Sequence, residues 1–179
     1  MKRLQKDQRG VTLVELLVAI PIAALVITAA TGAVFQVLNS TRANNYINAY
    51  SELQWAGYWV NHDAIQAQNV TGTWEGPNDR GFPLTLTWTD WSDDEYRVTY
   101  TLEDMPSGEL KYLQRQVWVN STPTATNTTG RYIYVDADPS KPTNCVWDSD
   151  EKVLTFTVKA QMGQQIATRT YEIKPRPLS

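Results

Sequence analysis

The chain has 179 residues, a formal net charge of −3, one cysteine and one histidine. The single cysteine, Cys145, excludes an intramolecular disulfide, so the fold must depend on core packing, and a lone cysteine is usually buried. The negative balance does not favour general nucleic-acid binding. Because no nucleophile motif surrounds His62 and no phosphate-binding loop or Cys-x-x-Cys pair occurs, we expect a non-enzymatic protein without a cofactor, with His62 facing solvent.

The chain opens with a basic leader, followed by a long apolar segment. Four basic residues stand against one acidic residue in positions 1–10, so this leader carries a charge of +3, and a chain without it would be near −6. The run from Leu16 to Leu38 has no charged residue and no histidine, and at about 1.5 Å per helical residue it covers roughly the hydrocarbon thickness of a bilayer. It is longer than the apolar stretch of about 7 to 15 residues in an ordinary signal peptide. We therefore predict a single membrane span.

The charge of the leader predicts the orientation of this span. Basic residues beside a first apolar segment hold that end of the chain in the cytoplasm. The chain after Leu38 is then expected to lie outside the cytoplasm.

Glu15 is the one acidic residue at the edge of the apolar segment. A carboxylate in that place loses hydration and needs a partner, and the sequence shows none within the chain. Cleavage after Gly10 would create an amino terminus on Val11, and the amine of a neighbouring subunit would be a suitable partner. We predict that this charge pair sets the axial register of subunits, since a buried pair contributes little net stability. The alternative is that Glu15 is an interfacial residue of an uncleaved anchor.

The junction resembles the class III signal of prepilins of the type IV pilin superfamily, with Gly10 before the cut, Glu15 as the fifth residue after it, and an unbroken apolar segment. The resemblance implies cleavage between Gly10 and Val11 by a prepilin peptidase, followed by N-methylation of Val11. Two features depart from the family pattern. Phe is more common where Val11 stands, and the Pro often found midway along the apolar segment is replaced by Gly32, with Pro21 lying earlier.

Three parts are predicted along the chain: the prepilin leader at 1–10, a transmembrane and assembly helix at 11–38, and an exported domain at 39–179. The domain is long enough for one compact core. Apolar and small residues recur in steps of three and four, which predicts an amphipathic helix over 39–68 that packs on the protein's own sheet. This stripe comprises Ala43, Tyr46, Ile47, Tyr50, Leu53, Gly57, Val60, Ala64 and Ala67.

The period changes to two in the β-rich part, residues 82–173. The predicted strands are 82–88, 96–102, 110–119, 131–135, 153–160 and 165–173. Positions 161–164 are predicted as a hairpin connection, and the Thr- and Asn-rich positions 120–130 as an exposed loop. A helix followed by antiparallel strands predicts an α+β fold, in which a long N-terminal helix packs on an antiparallel sheet as in pilins.

Two acidic clusters contain oxygen ligands of the kind that calcium prefers. Neither has EF-hand spacing, and Asp is common in turns for local reasons, so solvated turns are the favoured interpretation and a structural calcium ion is left open. The clusters are Asp90, Asp93, Asp94 and Glu95 in one loop, and Asp136, Asp138, Asp148, Asp150 and Glu151 in another.

A second resemblance concerns the domain. The strand 98–102, a turn and the segment 110–115 are similar to the hairpin of J-type minor pseudopilins and related minor pilins, which have a tyrosine strand, a turn, then Leu and Arg. The helix segment 55–68, with Asp63 followed by Gln66, is similar as well. This resemblance implies a minor subunit at or near a filament tip. β-Alternation alone also produces such a hairpin pattern, so a major pilin is the alternative.

We therefore predict a non-enzymatic minor pilin or pseudopilin of a type IV pilus, a type II secretion system or a DNA-uptake filament. The expected partners are prepilin peptidase, other pilin or pseudopilin subunits, the filament assembly platform and, before assembly, the cytoplasmic membrane. Nucleic acid is expected only in a DNA-uptake system. The precursor would cross the membrane once with its N-terminus in the cytoplasm, and the processed chain would join a periplasmic or extracellular filament. The alternative is a permanently anchored extracytoplasmic adhesin or binding domain.

Overall fold

The computed structural model describes residues 12–73, 80–106, 108–135 and 143–176. One helix, α1 (Leu13–Gln66), precedes all the strands, and the chain separates into two compact units, residues 1–41 and 42–179. The strands are β1 (Asn69–Thr71), β2 (Leu84–Thr89), β3 (Glu95–Asp104), β4 (Lys111–Val119), β5 (Thr122–Ile133), β6 (Asn144–Asp148), β7 (Val153–Met162) and β8 (Gln165–Ile173).

The second half of α1 packs on the sheet, and it ends two residues before the predicted end at position 68. The predicted stripe is confirmed from Leu53 onward and is wrong for its first part: Tyr46 is 48% exposed and Ile47 is 61% exposed. Ala43 is exposed as well, whereas Tyr50 is 37% exposed and contacts β8, since Nη1 of Arg169 donates to its hydroxyl at 2.9 Å. The first buried residue of the helix is Ala49, so the core begins only there. The buried helical residues are Ala49, Leu53, Ala56, Gly57, Val60, Asp63 and Ala64.

This half of the helix has few charged side chains, and they make hydrogen bonds to residues of the sheet. From position 43 to 68 the only Asp, Glu, Lys or Arg residues are Glu52 and Asp63. Glu52 accepts a hydrogen bond from the backbone N–H of Arg131 at 2.8 Å, and Asp63 is fully buried. Between positions 43 and 68, the side chains that are at least partly open to solvent thus include one carboxylate, Glu52, and one histidine, His62.

The strands form an antiparallel sheet in the order β1-β2-β3-β4-β5-β7-β6, and β8 pairs with β7. Alternation places Leu86 of β2 opposite Val98 of β3 on the buried face, while the hydroxyls of Thr85 and Thr99 meet at 3.0 Å on the other face. The predicted α+β fold is confirmed, with the long helix packed on an antiparallel sheet.

The segment 120–130 is exposed as predicted through Thr128, but the predicted loop is wrong, because β5 occupies it from Thr122 onward and pairs with β4. Threonine suits a pleated strand, and the edge of β4 supplies the pairing that the local sequence does not reveal. The predicted strand at 131–135 is only the end of β5. Two short strands, β1 and β6, were not predicted, and β6 includes Asp148 of the second acidic cluster. The other five predicted strands match β2, β3, β4, β7 and β8 in order.

The core lies between α1 and the sheet. Cys145 is 1% exposed, and burial raises the pKa of its thiol, as expected for a buried cysteine. The side chain of His62 is 49% exposed, which confirms its solvent-facing position. The largest fully buried side chains are Tyr100, Phe156, Leu53, Leu84, Leu86, Leu113, Ile133, Leu154 and Ile173.

Gly57 lets β8 approach the helix closely. A Cβ atom at this position would lie 1.9 Å from Cζ of Tyr171, so no other residue fits there without moving that ring. The Tyr171 hydroxyl donates a hydrogen bond to the carbonyl of Leu53 at 3.0 Å. Burial raises the pKa of Tyr171 above its usual range.

A buried carboxylate joins the helix to the middle of the sheet. Asp63 accepts hydrogen bonds from Nε and Nη2 of Arg115 at 2.6 and 2.8 Å, and from the hydroxyl of Tyr100 at 2.5 Å. The Arg115 guanidinium lies 4.8 Å from the ring centroid of Trp59, and Nδ1 of His62 lies 3.2 Å from Oδ1 of Asp63. Asp63 therefore connects α1 to β3 and β4 through a charge that is fully paired.

Removal of this carboxylate is expected to destabilise the domain strongly. Asp63→Ala leaves the Arg115 charge partly buried without its partner, which we expect to lower the free energy of unfolding by about 3 to 5 kcal/mol. The measurement is urea unfolding of the full chain in detergent, followed by tryptophan fluorescence. Glu172→Ala is the control, because Glu172 is exposed on β8. A loss for Asp63→Ala within about 0.5 kcal/mol, as at ordinary surface sites, would contradict the role of the pair.

The raised pKa of Tyr100 predicts that the folded domain loses stability at alkaline pH. Burial, together with the negative charge of Asp63, raises the pKa of Tyr100 well above its usual range. A group whose pKa is raised on folding stabilises the folded state below its unfolded pKa of about 10, and this contribution is lost as pH rises above that value. We expect the urea midpoint of the wild type to fall more steeply than that of Tyr100→Phe between pH about 9 and about 11. Equal slopes would show that Tyr100 does not carry the effect.

Candidate functional site at the start of the helix

The helix begins with a reciprocal cap between Thr12 and Glu15. The backbone N–H of Thr12 donates to Oε2 of Glu15 at 2.9 Å, and the Thr12 hydroxyl donates to the same oxygen at 3.0 Å. In return, the backbone N–H of Glu15 donates to Oγ1 of Thr12 at 3.2 Å. This is a capping box, which satisfies two of the N–H groups left unpaired at the start of a helix.

The cap corrects one expectation from the sequence. Glu15 does have hydrogen-bond partners within its own chain, and the Thr-x-x-Glu spacing immediately before an apolar run is the signal that would have revealed them. The cap also explains why a carboxylate is tolerated here, since negative charge is favoured near a helix N-terminus.

Hydrogen bonds from Thr12 do not neutralise the charge of Glu15. The ion pairs found within the described part of the chain do not include this residue. Glu15 therefore presents an oriented carboxylate that can still accept a cation. Gly10 and Val11, the predicted cleavage and methylation positions, lie outside the described residues.

The first half of α1 is apolar, and its side chains are exposed in the described part of the chain. By length and composition, α1 is the one helix in the described ranges that is able to cross a membrane. Two hydroxyl groups of this half are satisfied within the helix, since Thr28 donates to the carbonyl of Ala24 and Thr31 to that of Ile27, each at 2.8 Å. Exposed apolar surface of this extent is unfavourable in water.

The residues behind the second resemblance are brought together by the fold. The buried Asp63 of the helix bonds to Tyr100 of β3 and Arg115 of β4, as described above. In the sequence, 37 positions separate Asp63 from Tyr100 and 52 separate it from Arg115. Their contact stabilises the domain and offers no open site for a substrate.

The acidic clusters act as turn-formers where they are described. Asp90 Oδ1 accepts from the backbone N–H groups of Ser92 and Asp94, and Asp148 Oδ1 accepts from those of Asp150 and Glu151. Within the described ranges, no group of three or more His, Cys, Asp or Glu side chains is placed to hold a metal ion. Asp136 and Asp138 of the second cluster lie outside those ranges.

Comparison with known proteins identifies the N-terminal segment. A family model described as the prokaryotic N-terminal methylation motif matches residues 5–31. No curated protein and no solved structure shows a significant match to the chain. The chain thus carries the methylation motif of a pilin- or pseudopilin-like prepilin, joined to a helix-on-sheet domain.

Proposed function

We propose that this protein is a non-enzymatic filament subunit of the pilin or pseudopilin type, made as a membrane-anchored prepilin. The observation that carries the proposal is the match of the methylation motif to residues 5–31, at the start of a helix whose first half is uncovered and apolar. The second half of the same helix packs on an antiparallel sheet and forms one domain with it. In this proposal, one chain combines a processing signal, a helix that anchors the precursor in the membrane before assembly, and an exported domain.

The proposed sequence of events begins in the cytoplasmic membrane. Prepilin peptidase hydrolyses the bond between Gly10 and Val11, and Val11 then becomes the methylated amino terminus. During assembly the apolar half of α1 leaves lipid and packs among the helices of other subunits, which bury its side chains again. The domain is carried outward on the filament surface.

Glu15 acts in this scheme as a register device. Thr12 holds its carboxylate at the start of the helix, so little side-chain freedom remains to be lost when a partner arrives. The amine on Val11 of a neighbouring subunit supplies the missing cation. Only one axial offset between two helices places amine and carboxylate together, so the pair selects the stagger of the filament.

At a finer level, we propose a minor subunit at or near the filament tip. The Tyr100 and Arg115 hairpin with Asp63 supports this interpretation through its similarity to J-type minor pseudopilins. A pilus or a secretion filament is favoured over DNA uptake, because the two acidic turns expose carboxylates, Asp93 and Glu95 in the first and Asp148 and Asp150 in the second, which repel the phosphates of nucleic acid.

The first test is intact mass and N-terminal sequencing of membrane-extracted protein, with and without active prepilin peptidase. We expect a peptidase-dependent start at Val11, carrying one added methyl group. Gly10→Leu is expected to block cleavage, because it places a bulky side chain at the cut. Gly32→Leu is the matched control, since nothing lies within 4 Å of a Cβ atom at that position. A retained leader in the presence of active peptidase would instead indicate a permanently anchored binding domain.

The second test separates the charge of Glu15 from its capping role. Glu15→Gln keeps a side chain that serves in a capping box but removes the charge. We expect it to be processed normally and to lower filament yield by at least about a hundredfold, since it leaves the Val11 amine without its partner. Thr12→Ala keeps the charge and weakens the cap, so its yield should fall much less. Filament yield is measured in the sheared fraction of cells. Wild-type yield for Glu15→Gln would contradict the register role.

A further inference from the structure

The turn between β2 and β3 carries Trp91 with its indole almost entirely in solvent. Trp91 is 95% exposed, the highest value among the large apolar side chains in the described part of the chain. Two other tryptophans of the sheet have partners within the domain: Trp88 stacks on Tyr96 at 5.4 Å, and the Arg97 guanidinium lies 4.6 Å from the ring of Trp118. Tryptophan is the side chain that most often anchors a protein interface, and its full exposure leaves that capacity unused within the chain.

Hydrogen bonds on both sides of Trp91 hold the backbone of its turn. Asp90 Oδ1 accepts from the N–H groups of Ser92 and Asp94 at 2.8 and 3.1 Å. The next hairpin turn braces it, since Asn120 Nδ2 donates to Asp94 at 2.7 Å and Asn120 Oδ1 accepts from the N–H of Glu95 at 2.9 Å. Because this backbone is ordered in the free protein, docking through Trp91 would cost little conformational entropy.

The surroundings of Trp91 define the chemistry of a partner. The turn supplies four carboxylates, and Asp93 and Glu95 among them are exposed. Negative charge of this density disfavours an anionic lipid surface and the phosphates of nucleic acid. A surface that accepts the indole and also matches the carboxylates is an apolar pocket edged by Lys or Arg side chains.

We propose that Trp91 is the anchor by which this domain binds a folded protein that offers an apolar pocket edged by basic side chains. The partner docks at the end of the domain where α1 ends, since Thr89 at the start of the turn is held beside Gln68. This contact needs the domain to be exported and does not depend on cleavage at Val11 or on the charge of Glu15.

The experiment uses the full chain in its native membrane. Ser92→Cys places a thiol beside Trp91 for attachment of a photo-reactive benzophenone, and the native Cys145 is buried and stays unlabelled. Thr168→Cys, at an exposed position on β8, is the matched control. We expect a discrete protein adduct from Ser92→Cys that Thr168→Cys does not give, with the cross-linked segment of the partner containing Lys or Arg beside apolar residues.

Two further variants test the anchor and the charges separately in the Ser92→Cys background. Trp91→Ala should lower adduct yield at least about fivefold, and should weaken binding to the purified partner by about thirtyfold. Asp93→Asn combined with Glu95→Gln should lower yield while leaving Trp91 in place, and Asn tolerates the positive φ of 62° at position 93. The urea midpoint of unfolding and cleavage at Val11 should be unchanged in both.

The proposal is overturned by an adduct yield that does not respond to Trp91→Ala, by adducts to lipid or glycan, or by a yield no higher than that of Thr168→Cys. Because cleavage at Val11 is measured in the same samples, failure of the docking proposal is distinguishable from failure of the filament proposal.

Discussion

The Asp63 carboxylate fixes the helix to the sheet, and the rest of the domain is arranged around that attachment. A charge with no solvent exposure is stable only when every partner is in place, so the helix cannot slide along or rotate on the sheet without leaving a buried ion unpaired. Apolar contacts alone would allow such shifts at lower cost. Because α1 is one helix from Leu13 to Gln66, the element that is attached in this way is also the element that carries Glu15.

The parts of the fold that the sequence predicted are those that depend on local periodicity. The helix and the strands β2, β3, β4, β7 and β8 each repeat a pattern within a few residues. β5 does not, because its Thr- and Asn-rich segment becomes a strand only when it pairs with β4. The exposed Tyr46 shows a second limit, since periodicity indicates which residues share a face but not where the opposing sheet stops.

In the candidate site, too, the features set by local spacing were predicted and those set by long-range contacts were not. Glu15 and the junction at Gly10 were predicted from spacing along the chain, and the matched methylation motif covers both positions. Thr12, the partner of Glu15, was available from the same spacing. The contacts of Asp63 with Tyr100 and Arg115 were not predictable, because they join positions far apart in sequence that meet only after the sheet has formed. Trp91 is a related case. Its turn was predicted from composition, but the hydrogen bonds of Asn120 with Asp94 and Glu95 were not, because Asn120 belongs to another hairpin.

The low charge of the outward face of α1 has a consequence for its response to salt. Dissolved salt weakens contacts between charges far more than contacts between apolar groups. Between positions 43 and 68, the helix offers a neighbour one partly exposed carboxylate, Glu52, and one histidine, His62, because Asp63 is buried. Contacts made along this face would therefore respond weakly to ionic strength.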